Sequence, residues 1–189
     1  LLYMLNRKSP KEGNFSIFPK DNYIQNILMK LDEFLKIHIE AQIESGASII
    51  QIFDSWAGLV PEKDLDYYVY EPTKSLVDFI KKKRIISICF PRNISNYKKF
   101  VENVNPDIIN IDYNVDPSTI RDTIDIVVQG GFDPKILLQN KDIVRNEVTK
   151  YLKTFDKKRY IFNLGHGVLP NTNPDMVKYL VDLVRSFNG

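Results

Sequence analysis

A histidine set between two glycines is the residue of this chain best placed to act on a ligand. His166 stands within residues 163–170 (NLGHGVLP), after a strand-like run at 159–162 and before residues 171–174, which open an amphipathic helix. Glycines on both sides remove side-chain bulk, and loops at strand ends are where functional groups gather. His166 could therefore act as a general acid–base, bind a metal or donate to an anionic group.

A second polar segment, residues 54–58 (DSWAG), follows a strand-like apolar run that ends at Phe53. Ser55 could donate a hydrogen bond to a ligand, but its surroundings lack the GxSxG pattern of a nucleophilic serine. A serine or aspartate after a strand also closes turns and caps helices, so Ser55 and Asp54 keep both interpretations. Asp112 ends another strand-like run and is a candidate carboxylate, although we favour a cap of the following helix or a structural ion pair.

Histidine and cysteine, the side chains that most often bind zinc, are few in this chain. Cys89 is the only cysteine, and His38 is the only histidine besides His166. One cysteine cannot form an intrachain disulfide or a multi-cysteine zinc site, and His38 belongs to the apolar stripe of a helix. We therefore expect no metal site.

The composition bounds the class of protein. At 189 residues the chain is long enough for one ordinary domain. A net charge of +2 gives no reason to expect a nucleic-acid partner. No apolar run approaches the length of a membrane-spanning helix, so we expect no membrane partner either. The sequence begins with leucine, so a targeting peptide would not be visible in it.

Five short apolar runs alternate with segments of helical periodicity, which predicts an α/β fold with a parallel sheet. The first run is typical of a strand buried on both faces, and the helix before it presents a stripe that includes Phe34 and His38. Pro72 should kink or split the second helix. The predicted strands are residues 47–53, 85–90, 107–112, 126–129 and 159–162. The first predicted helix follows Asp21 and ends at Gly46, and the later ones are 62–83, 95–104, 117–123, 142–155 and 174–187.

The polar and glycine-containing segments all follow the carboxyl ends of these strands, which is the face that carries the active sites of (β/α)8 barrels. No GxGxxG turn follows any strand, which disfavours a dinucleotide-binding Rossmann domain. Five strands do not close an eight-stranded barrel. Either the first part of a barrel is missing or the sheet is open.

Four stretches resemble, in order and spacing, the motifs of the uroporphyrinogen decarboxylases. Residues 46–58 resemble that family's strand with a (D/E)SxAG-type end, and residues 110–113 (NIDY) its GLDW-type strand end. Residues 128–134 (VQGGFDP) resemble its QGNLDP motif, with Gly131 where asparagine is usual. Residues 160–167 (YIFNLGHG) resemble its C-terminal signature.

The resemblance implies the C-terminal part of a (β/α)8 TIM-type barrel, with residues 1–189 forming a single-domain fragment that lacks the N-terminal half. It implies a carboxy-lyase that converts the four acetate side chains of uroporphyrinogen III to methyl groups, giving coproporphyrinogen III without a cofactor. It also implies a homodimer when the protein is full length, in the cytoplasm or in a plastid-type organelle.

The same resemblance places Ser55 and His166 on the family's substrate-contacting serine and histidine, and Phe53 on the wall beside the serine. The family's first motifs carry two arginines, an aspartate and a tyrosine, and none of those segments occurs in this sequence. We therefore assign no catalytic residue here and expect the fragment alone to be inactive, with an exposed strand edge.

Two alternatives remain open. The related methylcobamide methyltransferases share the barrel and use zinc, but residues 87–89 lack the histidine of their HxC site, and His166 stands where a cysteine would be. The second alternative is a non-catalytic fragment that only oligomerises.

Overall fold

A computed structural model of the protein describes residues 1, 4, 19–155 and 159–187. Its contacts divide the chain into two compact units, Leu1–Asp107 and Ile108–Gly189. The first unit contains α1 (Asn22–Glu44), β1 (Ile49–Asp54), α2 (Glu71–Lys82), β2 (Ile86–Pro91) and α3 (Tyr97–Val104). The second contains β3 (Ile108–Ile111), α4 (Pro117–Thr123), β4 (Val127–Gly130), α5 (Lys141–Thr154), β5 (Tyr160–Ile161) and α6 (Pro174–Arg185).

The strands pair in parallel within each unit, β1 with β2 in the first and β4 with both β3 and β5 in the second. Helical segments separate each strand from the next along the chain. The α/β class and the five parallel strands that the sequence predicts are thus confirmed. No described helix is long and apolar enough to cross a membrane.

In the first unit, a small core joins β1 to helices α1 and α2. Ile39 of α1, Ile50 of β1, and Leu76 and Ile80 of α2 are all buried in one cluster. Removing such side chains from water stabilises the fold by roughly 1.5–3 kcal/mol each. The covered face of β1 is therefore the one that carries Ile50.

The prediction that β1 is buried on both faces is wrong. Ile50 is 4% exposed, whereas Ile49 is 46% and Phe53 66% exposed. Successive side chains of a strand point to opposite faces, so Ile49 and Phe53 share the face opposite Ile50. No described residue covers that face enough to bury them, and the apolar run does not reveal this because both of its faces carry large apolar side chains.

Helix α1 also differs from its predicted stripe. Ile24 and Ile39 are buried as expected for an amphipathic helix, but Phe34 is 69% exposed and His38 is exposed as well. Apolar side chains extend around more of this helix than one packed face can cover. The sequence period locates the helix but does not say which part of the apolar surface is buried.

The predicted helix 62–83 is split into segments of different helix type, and Pro72 lies next to one of the boundaries. The segment before it is a π-helical turn, Asp66–Tyr70, and α2 then begins with Pro72 in its first turn. Proline is tolerated there because the first N–H groups of a helix have no partner within the helix.

The second unit has a core between α5, α6 and the short 3-10 helix Pro134–Leu138. Its buried members are Phe132, Leu137, Val144, Val148 and Leu180. The residues that cap helices α5 and α6 are Asn140 and Asn173, whose side chains accept hydrogen bonds from the first-turn N–H groups. These caps explain why both helices begin where a polar segment is followed by apolar residues at helical spacing.

The cap of α4 is Asp116, not Asp112, which corrects the cap that the sequence suggested. The Asp116 carboxylate accepts from the backbone nitrogen of Thr119 at 3.0 Å and from the hydroxyls of Ser118 and Thr119. These hydrogen bonds lower the pKa of Asp116 to about 2. The capping residue must stand immediately before the first helical residue, and Asp112 is too far upstream.

Candidate functional site

The carboxyl end of β1 presents Phe53 and Ser55 to solvent. Phe53 is 66% exposed and packs in a T-shaped arrangement with Phe90, with 6.1 Å between ring centroids. Ser55 is exposed, and its hydroxyl forms no hydrogen bond with any residue that the structure describes. A hydroxyl in this position is available to a ligand.

Asp54, not Ser55, is the residue that closes the turn after β1. Its carboxylate accepts a long hydrogen bond from the backbone nitrogen of Trp56, at 3.4 Å. Burial raises the pKa of Asp54, and this hydrogen bond acts in the opposite direction. For Ser55, the sequence left open a ligand contact and a structural role in a cap or turn. The structure gives no support to the structural role.

The loops after β1 and β2 lie backbone against backbone. Arg92 donates its backbone N–H to the Asp54 carbonyl at 3.1 Å and accepts from the Gly58 N–H at 2.9 Å. A Cβ atom at position 58 would lie 2.1 Å from the Asn93 carbonyl oxygen, so only glycine fits. This contact fixes the DSWAG loop beside the end of β2.

Sequence reasoning missed Arg92, the half-buried cation that directly follows β2. A guanidinium recognises carboxylates through paired hydrogen bonds. The rule that selected Ser55 and His166, a polar residue just after a predicted strand, would also have selected Arg92.

In the second unit, His166 is held by its backbone neighbours. Gly165 donates its N–H to the Phe132 carbonyl at 2.8 Å, and Leu164 forms a parallel bridge with Phe132. The imidazole is exposed, its Nδ1 lies 3.4 Å from the Gly167 carbonyl oxygen, and its ring stands edge-on to Tyr113 with 6.5 Å between centroids. The ring can therefore reach a ligand while the chain beneath it is fixed.

Only one of the two glycines beside His166 is required by packing. A Cβ atom at position 165 would lie 2.3 Å from the Tyr113 backbone nitrogen, whereas one at position 167 would meet nothing within 4 Å. Close approach of the β5 loop to the end of β3 thus depends on Gly165.

Tyr113 beside His166, and Lys135 beside Tyr113, were not singled out from the sequence. Tyr113 follows β3, and the Lys135 ammonium lies 5.9 Å from the centroid of its ring, within the range of a cation–π contact. Tyr113 thus contacts both the His166 ring and the Lys135 ammonium, which are a hydrogen-bonding group and a positive charge suited to an anionic ligand. The position of Tyr113 after a strand was a usable signal, but Lys135 follows a turn and a proline and gave none.

Asp112 does not face a ligand as a candidate carboxylate would. Its side chain is 1% exposed, and its backbone lies against Gly165. Nearby, Gln129 donates to the Asn110 side chain at 2.8 Å, and both residues are buried. These polar residues support the strand ends from inside rather than forming the ligand-facing surface.

The described residues contain no group of three or more His, Cys, Asp or Glu side chains that could hold a metal ion. Cys89 is buried, and burial raises the pKa of its thiol to about 12. Ser87 bonds Asp107 instead, through its N–H at 2.8 Å and its hydroxyl at 2.7 Å. Neither residue therefore lends support to a zinc site at 87–89, which needs a thiolate.

The three residues that the sequence singled out for substrate binding fall in different units. Phe53 and Ser55 belong to the first unit and His166 to the second. Each lies at or just beyond the carboxyl end of a parallel strand. That they contact one ligand together stays a prediction.

The matching family model and the curated relatives belong to the same family. The family model for uroporphyrinogen decarboxylase (URO-D) matches residues 8–187. The uroporphyrinogen decarboxylase of Rickettsia bellii (strain RML369-C) is 39% identical over 194 residues, covering 99% of this chain and 57% of that protein. That of Rickettsia felis (strain ATCC VR-1525 / URRWXCal2) is 37% identical, covering 98% and 56%. The chain thus spans little more than half the length of these curated relatives.

Proposed function

Because this chain belongs to the uroporphyrinogen decarboxylase family, we propose that it is the C-terminal half of a carboxy-lyase acting on uroporphyrinogen III. The reaction removes carbon dioxide from the four acetate side chains and gives coproporphyrinogen III. The match over residues 8–187 carries the proposal, and the exposed donors at the strand ends are the chemistry that a polycarboxylate substrate needs.

The chemistry requires little beyond positioning and proton transfer. Once a pyrrole ring is protonated at carbon, the bond to the acetate carboxylate breaks, carbon dioxide leaves, and the cationic ring accepts the electron pair. A proton then adds to the side-chain carbon to complete the methyl group, and the ring carbon loses the proton it had gained, which restores the pyrrole. The protein must hold a polyanion, stabilise the cationic ring and supply protons.

In this proposal, the residues of this chain bind and orient the substrate. Ser55 and His166 donate hydrogen bonds to carboxylates or ring groups, and Phe53 forms an apolar wall. Arg92 and Lys135 add positive charge, which favours a polyanion. The groups that stabilise the cationic ring lie outside this chain, in the N-terminal half.

The remaining expectations belong to the same proposal. The full-length enzyme is a homodimer that needs no cofactor and binds neither nucleic acid nor membrane. It acts in the cytoplasm or in a plastid-type organelle.

The 189-residue chain alone is expected to form no coproporphyrinogen from uroporphyrinogen III, because ring stabilisation is absent. The measurement is product formation followed by chromatography under anaerobic conditions, for the isolated chain and for the same chain joined to an N-terminal half. Turnover by the isolated chain would contradict the division of roles, and inactivity of the joined protein would contradict the function.

Replacing His166 with alanine in the joined protein is expected to lower kcat/KM roughly 10- to 100-fold, as loss of a hydrogen bond to a charged group does. The matched control is His38→Ala, since His38 is also exposed but lies on α1. Unchanged activity of His166→Ala would remove His166 from the substrate contacts. Complete loss with the fold intact would assign it a catalytic step.

A further inference from the structure

The turn after β4 contains a glycine whose environment leaves no room for a side chain. Gly131 has φ of +90°, and a Cβ atom there would lie 1.9 Å from the Tyr151 hydroxyl oxygen and 2.9 Å from Cδ1 of Ile111. Ordinary contacts between such atoms are at about 3.5 Å. The Tyr151 hydroxyl therefore occupies the space that a side chain at position 131 would need.

Tyr151 cannot easily move away from this position. Its ring lies among Phe132, Phe155 and Tyr160, with centroid distances of 5.9, 5.7 and 5.9 Å. Its hydroxyl is buried and has no hydrogen-bond partner among the described residues. Packing, not hydrogen bonding, thus holds the hydroxyl against Gly131.

The turn that Tyr151 supports is connected directly to the candidate site. Phe132 follows Gly131, and its carbonyl accepts the N–H of Gly165 at 2.8 Å. Gly165 precedes His166, so a displacement of the turn moves the backbone that carries the imidazole. The neighbouring Gly130 is held as well, because Tyr160 donates its hydroxyl to the Gly130 carbonyl at 2.7 Å.

We propose that Tyr151 is a positioning residue for His166, acting through the turn at Gly131 and the backbone bond from Gly165 to Phe132. Its hydroxyl fills the space beside Gly131 and so determines the position of the turn backbone. The importance of this position for catalysis rests on the proposed role of His166 as a substrate contact. The packing relation between Tyr151 and Gly131 does not depend on that role.

The first test measures whether the two positions compete for one space. Gly131→Ala is expected to lower the thermal midpoint of the 189-residue chain by roughly 5–15 °C, since it adds overpacking to backbone strain. Gly131→Ala with Tyr151→Phe should recover at least half of that loss, because the methyl group refills the volume that the hydroxyl leaves. Gly46→Ala is the matched control for strain alone, with φ of +102° and no atom within 4 Å.

The second test measures the position of His166 itself. The imidazole resonances of His166 are recorded by NMR, with those of His38 as internal reference, since the chain has two histidines. Tyr151→Phe should shift the His166 resonances, because the edge-on Tyr113 ring reports small displacements, and should leave those of His38 unchanged. The double variant should return them toward their original positions.

Two outcomes would overturn the proposal. Equal midpoint losses for Gly131→Ala with and without Tyr151→Phe would show that the hydroxyl does not fill the space. Stability changes without any shift of the His166 resonances would leave Tyr151 a purely structural residue. Full activity of His166→Ala in the joined protein, with the resonance shifts present, would instead refute only the substrate role of His166.

Discussion

Replacing Gly165 with alanine is expected to lower the free energy of unfolding by about 3 kcal/mol or more. The added Cβ atom would lie 2.3 Å from the Tyr113 nitrogen and 2.8 Å from the Asp112 carbonyl carbon. Both are backbone atoms at the end of a buried strand, so no side-chain rotation relieves the contact. Either the loop after β5 separates from β3 or the strand shifts, and both change the position of His166.

The measurement is urea unfolding of the 189-residue chain followed by circular dichroism, compared with Gly167→Ala. Gly167 flanks the same histidine from the other side, and a Cβ atom there meets nothing within 4 Å. We expect Gly167→Ala to change stability by less than about 0.5 kcal/mol, as surface substitutions usually do. Equal effects of the two variants would show that the loop does not approach β3 as closely as the structure places it.

The sequence shows a symmetric pair of glycines around His166, but the structure makes only one of them necessary. This difference depends on Tyr113, a residue far away in the chain that no local pattern relates to Gly165. The same holds for Gly131 and Tyr151. Steric requirements of this kind come from tertiary packing, so sequence patterns locate such glycines without ranking them.

Much of the fold follows from local information. The helices α4, α5 and α6 begin within a residue of their predicted starts because polar caps precede periodic apolar residues. The strands also appear where short apolar runs predict them. The sequence did not reveal that one face of β1 is exposed, since burial on that face depends on what packs against Ile49 and Phe53.

The candidate site was predicted in part. The position of Ser55 and His166 just beyond strand ends was correct, because parallel strands carry their functional loops at one end. Their substrate-binding role stays a prediction. Arg92 was missed although it lies just after a predicted strand, and Lys135 was missed because a single lysine after a proline resembles any surface lysine until its neighbours are known.

Replacing Gly58 with alanine is the second change for which we expect a large effect, about 3 kcal/mol of lost stability. A Cβ atom at position 58 would lie 2.1 Å from the Asn93 carbonyl oxygen and 2.5 Å from its carbonyl carbon. The loop after β1 must then move away from the loop after β2, which breaks the hydrogen bond from the Gly58 N–H to the Arg92 carbonyl, 2.9 Å long in the native structure.

Because this loop carries Ser55 and lies beside Arg92, the same change should weaken substrate binding in the joined protein. We expect KM for uroporphyrinogen III to rise more than kcat falls, since the residues proposed to bind the substrate are displaced while the groups proposed to stabilise the ring stay in place. Gly167→Ala again serves as control, because it too adds a methyl group to an exposed glycine of a strand-end loop. A stable Gly58→Ala variant with unchanged KM would show that the DSWAG loop tolerates separation from β2 and that Ser55 does not contact the substrate from the position seen here.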